Sequence, residues 1–505
     1  MKLADIRNPA RFDWLADQGF RLDASPYLSG AYEARKLLER LPGTQALRDL
    51  VRSGAGIFHA GRSARRWVTD PEYGVPFFSS TDILEADSSF LPLIAQSAVK
   101  DNPRLLIQRD WTLITRSGTV GRMAYARPDM DGFACSEHVL RVAAGDGKIS
   151  SGYLYAFLSS RYGIPMIANA AYGAIIQHIE PEHIADLPVP RFGRTVEEEI
   201  HECVQAAADL RARFQAGVIA ATRDLFESAG LPELLNLRWH DQPRDCGYVV
   251  QSLTPTTLRA LNTSPRICRI LEKLAAVPHR MLGDICAGGQ LGRGNRFTRI
   301  DSEPEHGYQL IGQRQGPWLR PEGRWVAVSP IVLDEIRAQD ESVLVASQGT
   351  LGENEVFCRS IFITGRWQRE FVFSEHFLRV VSGDLEFPGA YLFAFLRSEA
   401  AFRIFRSMST GSKQQDIHEE LRQQIPVPEC TPADRERIAN TVRQAYRWRD
   451  EADELEDRAQ ELLDVAVRDA VGTDLRQDGH LTSKAPMGEE WEAGESPDGS
   501  HHSRR

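Results

Sequence analysis

Ser136-Glu137-His138-Val139-Leu140-Arg141-Val142 and Ser374-Glu375-His376-Phe377-Leu378-Arg379-Val380 are one block of sequence written twice, 238 residues apart. The same offset carries Tyr153-Leu154-Tyr155-Ala156-Phe157-Leu158-Ser159-Ser160 onto Tyr391-Leu392-Phe393-Ala394-Phe395-Leu396-Arg397-Ser398. It also carries Gly173 onto Gly411, Ile179 onto Ile417, and Leu187-Pro188-Val189-Pro190 onto Ile425-Pro426-Val427-Pro428. Upstream, Gly118-Thr119-Val120-Gly121 matches Gly349-Thr350-Leu351-Gly352 at an offset of 231, so the copies differ by a short insertion. Blocks in register over about 80 residues define an internal duplication, the feature that decides how the rest of the chain is read.

Both copies share a local grammar. A short apolar and β-branched run, Trp111–Thr115 or Ser342–Ala346, ends at glycine and reads as a strand followed by a turn. The Ser-Glu-His block alternates like a second strand. Tyr153–Ser160 and Tyr391–Ser398 are apolar at helical spacing and predict a packed helix. Each copy is therefore expected to be a mixed α/β unit of about 190 residues, within the usual size of a domain.

After each Pro-Val-Pro the pattern changes to one long helix. In the first, Thr195 is the expected N-cap with Glu198 at the capping-box position, followed by Ile200, Cys203, Ala207, Leu210 and Phe214, then Val218, Ala221 and Leu225. The second opens on Thr431 and Pro432 and runs through Ile438, Val442, Ala445, Trp448, Ala452, Leu455, Ala459, Leu462 and Ala466. Alternating steps of three and four make a narrow coiled-coil seam, and the most economical partner for each helix is the other. The order unit–helix–unit–helix lets the two pair antiparallel. The expected fold is thus mixed α/β: two tandem domains, 1–194 and 231–430, separated by spacer helices 195–230 and 431–475 that form an antiparallel coiled coil. A polar tail, 476–505, is expected to be disordered.

The net charge of −10 argues superficially against a nucleic-acid binder, because phosphate attraction dominates such affinity. Its distribution removes the objection. Residues 195–230 hold 3 basic and 7 acidic side chains, 431–475 hold 7 and 12, and 476–505 hold 4 and 6, leaving the two α/β units at a net +1. No apolar run reaches the length of a membrane span. Met1–Arg7 carries no charged-then-apolar leader, and seven scattered cysteines without a Cys-x-x-Cys pair fit reduced thiols, so a cytoplasmic location is expected.

This architecture resembles the specificity (S) subunit of type I restriction-modification systems over nearly the whole chain. The motifs that carry the resemblance occur in order in each copy. The first copy opens with Gly54 to Arg66 and Tyr73 to Ile83, and the second with Leu282 to Arg296 and Gly307 to Arg314. The Arg116-Ser117-Gly118-Thr119-Val120-Gly121-Arg122 and Ser347-Gln348-Gly349-Thr350-Leu351-Gly352 turns follow. The polar loop Gly411-Ser412-Lys413-Gln414-Gln415-Asp416-Ile417 leads to the Pro-Val-Pro exit; Gly173–His178 is more apolar at the matching place.

The resemblance implies that each domain reads one half of a split duplex-DNA target and that the helices set the gap. It implies docking of two N6-adenine methyltransferase subunits, which carry the S-adenosylmethionine, so this chain needs no cofactor or metal of its own. A translocating nuclease or another phage-defence subunit is a further implied partner.

Arginine suits phosphate or guanine, and glutamine suits adenine. The candidate DNA-contacting residues are therefore Arg62, Arg65, Arg66, Gln177 and His178 in the first copy, and Arg293, Arg296, Arg299, Lys413, Gln414 and Gln415 in the second. Ile200, Leu210, Phe214, Val442, Trp448, Leu455 and Leu462 are the candidate helix-packing residues. Glu137-His138 and Glu375-His376 invite an acid–base reading but are expected to make structural hydrogen bonds or salt bridges. The four Gly-Thr-x-Gly glycines lack the Lys-Ser/Thr sequel of a nucleotide loop and read as turns. There is no Asn/Asp-Pro-Pro-Tyr/Phe motif, Walker motif or His-Glu-x-x-His pair, so no catalytic residue is assigned. Two other classes stay open: a duplicated protein-interaction scaffold that binds no specific DNA, and a DNA-acting enzyme whose site carries no recognisable motif.

Overall fold

The computed structural model describes residues 11–477 except positions 18, 19, 21, 23, 25, 26, 28, 55, 171–177, 236, 244, 246–256, 258 and 354, with the backbone alone for 473–477. Gln177, and the expected tail from 478 onward, lie outside the described residues; residues 476 and 477 close the last helix.

Apolar, β-branched segments form the same two four-stranded sheets on either side of the first long helix. Before it, one sheet has the order Ile57–Phe58, Val139–Val142, Thr112–Thr115, Met123–Tyr125, all antiparallel. After it, the order Gln290–Arg293, Phe377–Val381, Ser342–Ala346, Ser360–Ile363 repeats that arrangement. The second sheet runs Trp67–Val68, Leu93–Ala95, Gly74–Phe78, Ala134–Cys135 in the first half. In the second half it runs Ile300–Asp301, Arg324–Ala327, Tyr308–Ile311, Phe371–Phe373, and in both the last pair is parallel. A two-stranded ladder closes each half, Gln45–Ala46 on Pro188–Val189 and His279–Met281 on Pro426–Pro428.

The Ser-Glu-His block departs from its expected form. Glu137-His138 and Glu375-His376 are not strand residues; each pair forms the turn by which the chain leaves one sheet and enters the other. Polar alternation at Ser136 and His138 imitates a strand because the two residues flank a tight corner, while pairing begins only at Val139.

Each half's exit is pinned in the same way. The Tyr153 hydroxyl donates to the Pro190 carbonyl at 2.6 Å, and the Tyr391 hydroxyl to that of Pro428 at 2.7 Å. The helices Arg194–Ser228 and Pro432–Gln477 follow. The second starts as its sequence predicts, with the Asp434 N–H donating to the Thr431 hydroxyl at 3.2 Å. The first does not. Gly193, at φ 89°, turns the chain into the helix two residues early, so neither Thr195 nor Glu198 caps it. Instead the buried Glu197 carboxylate reaches back to accept from the Phe192 N–H (3.0 Å) and the Arg191 guanidinium (2.9 and 2.8 Å).

The two long helices lie antiparallel, because contact partners fall in number on one as they rise on the other. Arg211 pairs with Asp453 and Glu456 (3.0 and 2.8 Å), Phe214 sets its ring edge-on to Tyr446 (5.1 Å), and Arg437 reaches Asp224 (2.7 Å). The buried surface is wider than the expected seam. The first half's core, with Leu140, Tyr153 and Phe157, runs on into Ile200, Val204, Ala208, Ala459, Leu463 and Val467. The second half's core, with Leu378, Tyr391 and Phe395, runs on into Phe214, Val218, Leu225, Val442, Ala445 and Tyr446. Between them Ala207, Leu210 and Ala452 pack with Trp448 and Leu455, which stay half-buried, as does Leu462 against the first core. A coiled coil needs only one stripe; these helices bury a second, because each half wraps its own core around them.

The halves also touch directly. Backbone hydrogen bonds join Ala86 to Pro317 (2.9 Å) and Leu319 to Leu84 (2.7 Å), and Trp318 inserts among first-half core residues such as Phe78 and Ile83. Arg359 lies between the rings of Phe90 and Phe402, at 4.0 and 3.6 Å. Asp87 accepts from Arg397 (2.6 Å) and from Gln215 of the first long helix (3.0 Å). Burial alone would raise the Asp87 carboxyl, but Arg397 outweighs it and the group is held at about 2.

Two predictions follow from this packing. A Cβ on Gly217 would stand 2.9 Å from that of Ala445, whereas one on Gly472 would meet nothing within 4 Å. Gly217→Leu is therefore expected to lower the melting temperature and disturb the helix pair, while Gly472→Ala, relieved of glycine's backbone entropy, leaves it equal or raises it. Asp87→Ala strands a buried guanidinium and is expected to cost toward the lower end of about 3–5 kcal/mol at pH 7, since Asp87 is partly exposed. Because the folded-state value of Asp87 lies below the ordinary 3.8, its contribution is fully present above that pH and lost as pH falls toward about 2. Chemical denaturation of both proteins from pH 7 to 2.5 should show the gap narrowing only at the acid end.

Candidate nucleic-acid interface

The sheet-to-sheet corners bring most of the candidate residues together. In each half the strand that leaves the corner carries a buried arginine; the first half's reaches carbonyls of the corner itself, the second half's those of the segment 335–337. Arg141 donates to the carbonyls of Ser136 (2.9 Å), Val139 (2.8 Å), Leu105 (3.1 Å) and Cys135 (2.6 Å). Arg379 donates to those of Glu335 (3.0 Å), Ile336 (2.6 Å) and Arg337 (2.9 Å). Burial lowers the pKa of both guanidiniums, yet carbonyl dipoles rather than carboxylates hold them.

At the turn, the corner glutamate sits between an arginine and the adjacent histidine. Glu137 pairs with Arg65 (3.2 Å) and lies 3.7 Å from the His138 ring nitrogen. Glu375 pairs with Arg299 (2.6 Å) and lies 3.7 Å from His376. Burial pushes each carboxyl up, but its own backbone N–H and the arginine outweigh that and leave both below the usual carboxylate range. The expected structural salt bridges of the Glu-His pairs are present, and their partners are two of the candidate arginines.

Strand register fixes which residues are equivalent. Ile57 opposes Val142 and Leu291 opposes Val380, so Arg62 corresponds to Arg296, Arg65 to Arg299 and His59 to Arg293. Two of the three candidate arginines in each half are thus equivalent, and the third is not. Arg66 has no arginine counterpart and is tied to Asp101 and Ser97 (3.4 Å). Arg62 and Arg296 are exposed and, among the described residues, pair with no carboxylate.

Around these fixed points the two corners differ. In the first, the Ser80 hydroxyl donates to the Ser117 carbonyl (3.1 Å), the Ser117 hydroxyl bonds the His138 Nδ1 (2.9 Å), and the His138 and His178 rings stack at 6.2 Å. Arg116 pairs with Glu180, which also lies 3.4 Å from His59. Burial, aided by Arg116, holds the His59 imidazole below its ordinary pKa. In the second corner the Gln313 side chain exchanges hydrogen bonds with the Gln348 backbone (2.9 and 3.0 Å). With its amide turned so that the nitrogen faces the ring, the Gln348 side chain donates to His376 Nδ1 and accepts from Arg293 (3.0 and 3.1 Å); Arg293 pairs with Asp416.

The loop between Ser409–Thr410 and Gln415–Ile417 stands beside that corner, because Gln348-Gly349 adds a third strand against Gln415-Asp416. Lys413 and Gln414 are exposed at its tip. Gln415 is turned inward, its amide donating to the Ser412 carbonyl, so it shapes the loop and offers no free donor to the surface.

His59, Arg116, Glu180, Gln313, Gln348 and Asp416 belong to these corners, although the sequence alone did not single them out as contact candidates. For Gln313 and Gln348 the signal was available: each stands at the end of a segment whose counterpart recurs in the other copy. Among the described residues no group of three or more His, Cys, Asp or Glu side chains is placed to hold a metal ion. No described helix is long and apolar enough to cross a membrane.

Three solved structures are similar to this chain, each over 85% of its length. They are a type I restriction-modification S subunit from M. genitalium (12% identity, 95% of that chain, TM-score 0.33) and the HsdS subunit from Thermoanaerobacter tengcongensis (13%, 97%, 0.25). The third is a chain from a structure of type I restriction-modification complex assembly and conformational transition (13%, 98%, 0.24). No protein-family model and no curated protein matches the chain.

The corner geometry gives a direct test. Replacing Arg141 or Arg379 by methionine removes the donors to three or four carbonyls, and an unsatisfied buried polar group costs about 1–3 kcal/mol. Each variant is expected to melt at lower temperature and to show faster hydrogen–deuterium exchange where its carbonyl partners lie, at the Ser-Glu-His turn for Arg141 and around residues 335–337 for Arg379, with the other half unchanged.

Proposed function

We propose that this chain is the sequence-specific DNA-recognition subunit of a type I-like restriction-modification or methylation-based phage-defence complex, working in the cytoplasm. Its halves act as tandem target-recognition domains, each reading one part of a bipartite duplex target. The antiparallel helices, as a coiled-coil spacer, set the gap between the parts. The observation that carries this reading is the twice-built polar corner. The same sheet order and Glu–Arg pair recur in both halves and carry exposed arginines at matching places, on two bodies whose cores share the same helices.

Phosphate binding needs exposed cations, which each corner offers, and base reading needs oriented hydrogen-bonding groups, which the two corners supply from different residues. Nothing in such an arrangement forms or breaks a bond. Methyl transfer to adenine N6 therefore falls to partner subunits, two per chain, that bring S-adenosylmethionine and dock on the helices. A nuclease, translocase or other defence subunit completes the complex.

Mapping of methylated adenines in cells with and without the gene tests the proposal. Expected is a split motif with two different parts that disappears with the chain, and a change in only one part when residues 231–430 are exchanged for those of a related protein. A methylome indifferent to the chain would contradict it. Retained partner capture together with no duplex preference would favour a protein-interaction scaffold instead.

A further inference from the structure

The internal duplication separates two kinds of residue at the corners. Some are the same in both halves: Arg62 and Arg296, Arg65 and Arg299, Glu137 and Glu375, His138 and His376. Others occupy equivalent places but differ. These are His59 and Arg293, Ser117 and Gln348, and, two residues beyond the strand pairs Phe78–Cys135 and Ile311–Phe373, Ser80 and Gln313. Two bodies that read different bases share only one ligand chemistry, the phosphodiester backbone. We propose that Arg62 and Arg296 are twin phosphate anchors, and that the differing residues at the same corners, Gln313 and Gln348 foremost, read bases. This deepens the recognition reading above and rests on it.

The electrostatics separate the two arginines within each shared pair. Arg65 and Arg299 are already neutralised by the corner glutamates, so a phosphate would have to compete with a carboxylate held ionised by its own backbone and the arginine. Arg62 and Arg296 stand three residues earlier, exposed and, among the described residues, without an acid. They gain a partner on binding and lose none. The Glu–Arg pair below acts as a positioning brace, fixing the loop that carries the free guanidinium. Gln313 and Gln348 have the complementary character, for their amides are oriented by backbone and side-chain bonds before any ligand arrives. Orientation is what bidentate reading of adenine N6/N7 requires, whereas a phosphate contact needs only charge.

The experiment measures binding of the full-length chain to a mixed-sequence duplex across a salt series, together with selection of preferred sites from a random duplex pool. Arg62→Ala and Arg296→Ala should each weaken mixed-sequence binding several-fold and reduce the log–log salt slope by about 0.9, the double variant by about twice that. Arg62→Lys and Arg296→Lys should keep the slope, because a phosphate accepts any cation whereas a guanine fork does not accept lysine equally. Gln313→Ala and Gln348→Ala should leave mixed-sequence affinity within about twofold, since they remove no charge, and change the selected bases in one half-site alone.

Unaltered affinity and slope in the arginine-to-alanine variants would overturn the anchor assignment, as would lysine variants that lose one selected base. Glutamine variants that lower affinity for every sequence alike would overturn the base-reading half. If the wild-type chain binds no duplex at all, the recognition reading itself fails; that result is distinct from each of the others, which presuppose wild-type binding.

Discussion

Both hydrophobic cores of this protein run into the same pair of antiparallel helices. Ile200, Val204 and Ala208 with Ala459, Leu463 and Val467 belong to the first half, and Phe214, Val218 and Leu225 with Val442, Ala445 and Tyr446 to the second. A side chain of this kind contributes about 1.5–3 kcal/mol when fully buried. Neither half can therefore shift along the helices without withdrawing a row of apolar groups from its own core. Separation is built into the cores themselves, and the helices are more than a rod with two bodies attached at its ends.

The direct clasp adds a second restraint of different chemistry. Asp87 and Arg397 are 310 positions apart in sequence, yet they meet at 2.6 Å beside Gln215 of the first long helix. Trp318 crosses from one half into the core of the other. The helices fix position by hydrophobic burial, which has no direction. The clasp fixes orientation by directed hydrogen bonds and by Arg359 held between two rings. Together they present the two polar corners at one mutual geometry, which is the property a reader of split sites requires.

Much of this was legible in the sequence for identifiable reasons. The long helices declared themselves because Ile438, Val442, Ala445, Trp448, Ala452, Leu455 and Ala459 repeat at steps of three and four over many turns, and a Thr-Pro start has few other uses. The strand Ser342–Ala346 was read to the residue because a short β-branched run ends at a polar turn. What stayed hidden was non-local. The clasp could not be seen, since nothing near Asp87 announces Arg397. The second buried face was masked by polar residues such as Arg211, Asp453 and Glu456, which are buried only because they pair with one another. At the corners, sequence spacing found the arginines, but strand register decides which of them are equivalent. The inward turn of Gln415 and the place of Gln313 and Gln348 depend on that same register.

The account turns on the two corners being held at one fixed separation before any ligand binds. Pulsed electron–electron spin resonance between bio-orthogonal labels at Ala64 and Asn295, exposed residues on the arginine-bearing segments of the two corners, measures that separation in solution. A single narrow distance distribution, unchanged on raising the salt concentration, is the predicted result. A broad or multi-peaked distribution for the intact chain would show two bodies moving independently and would contradict it.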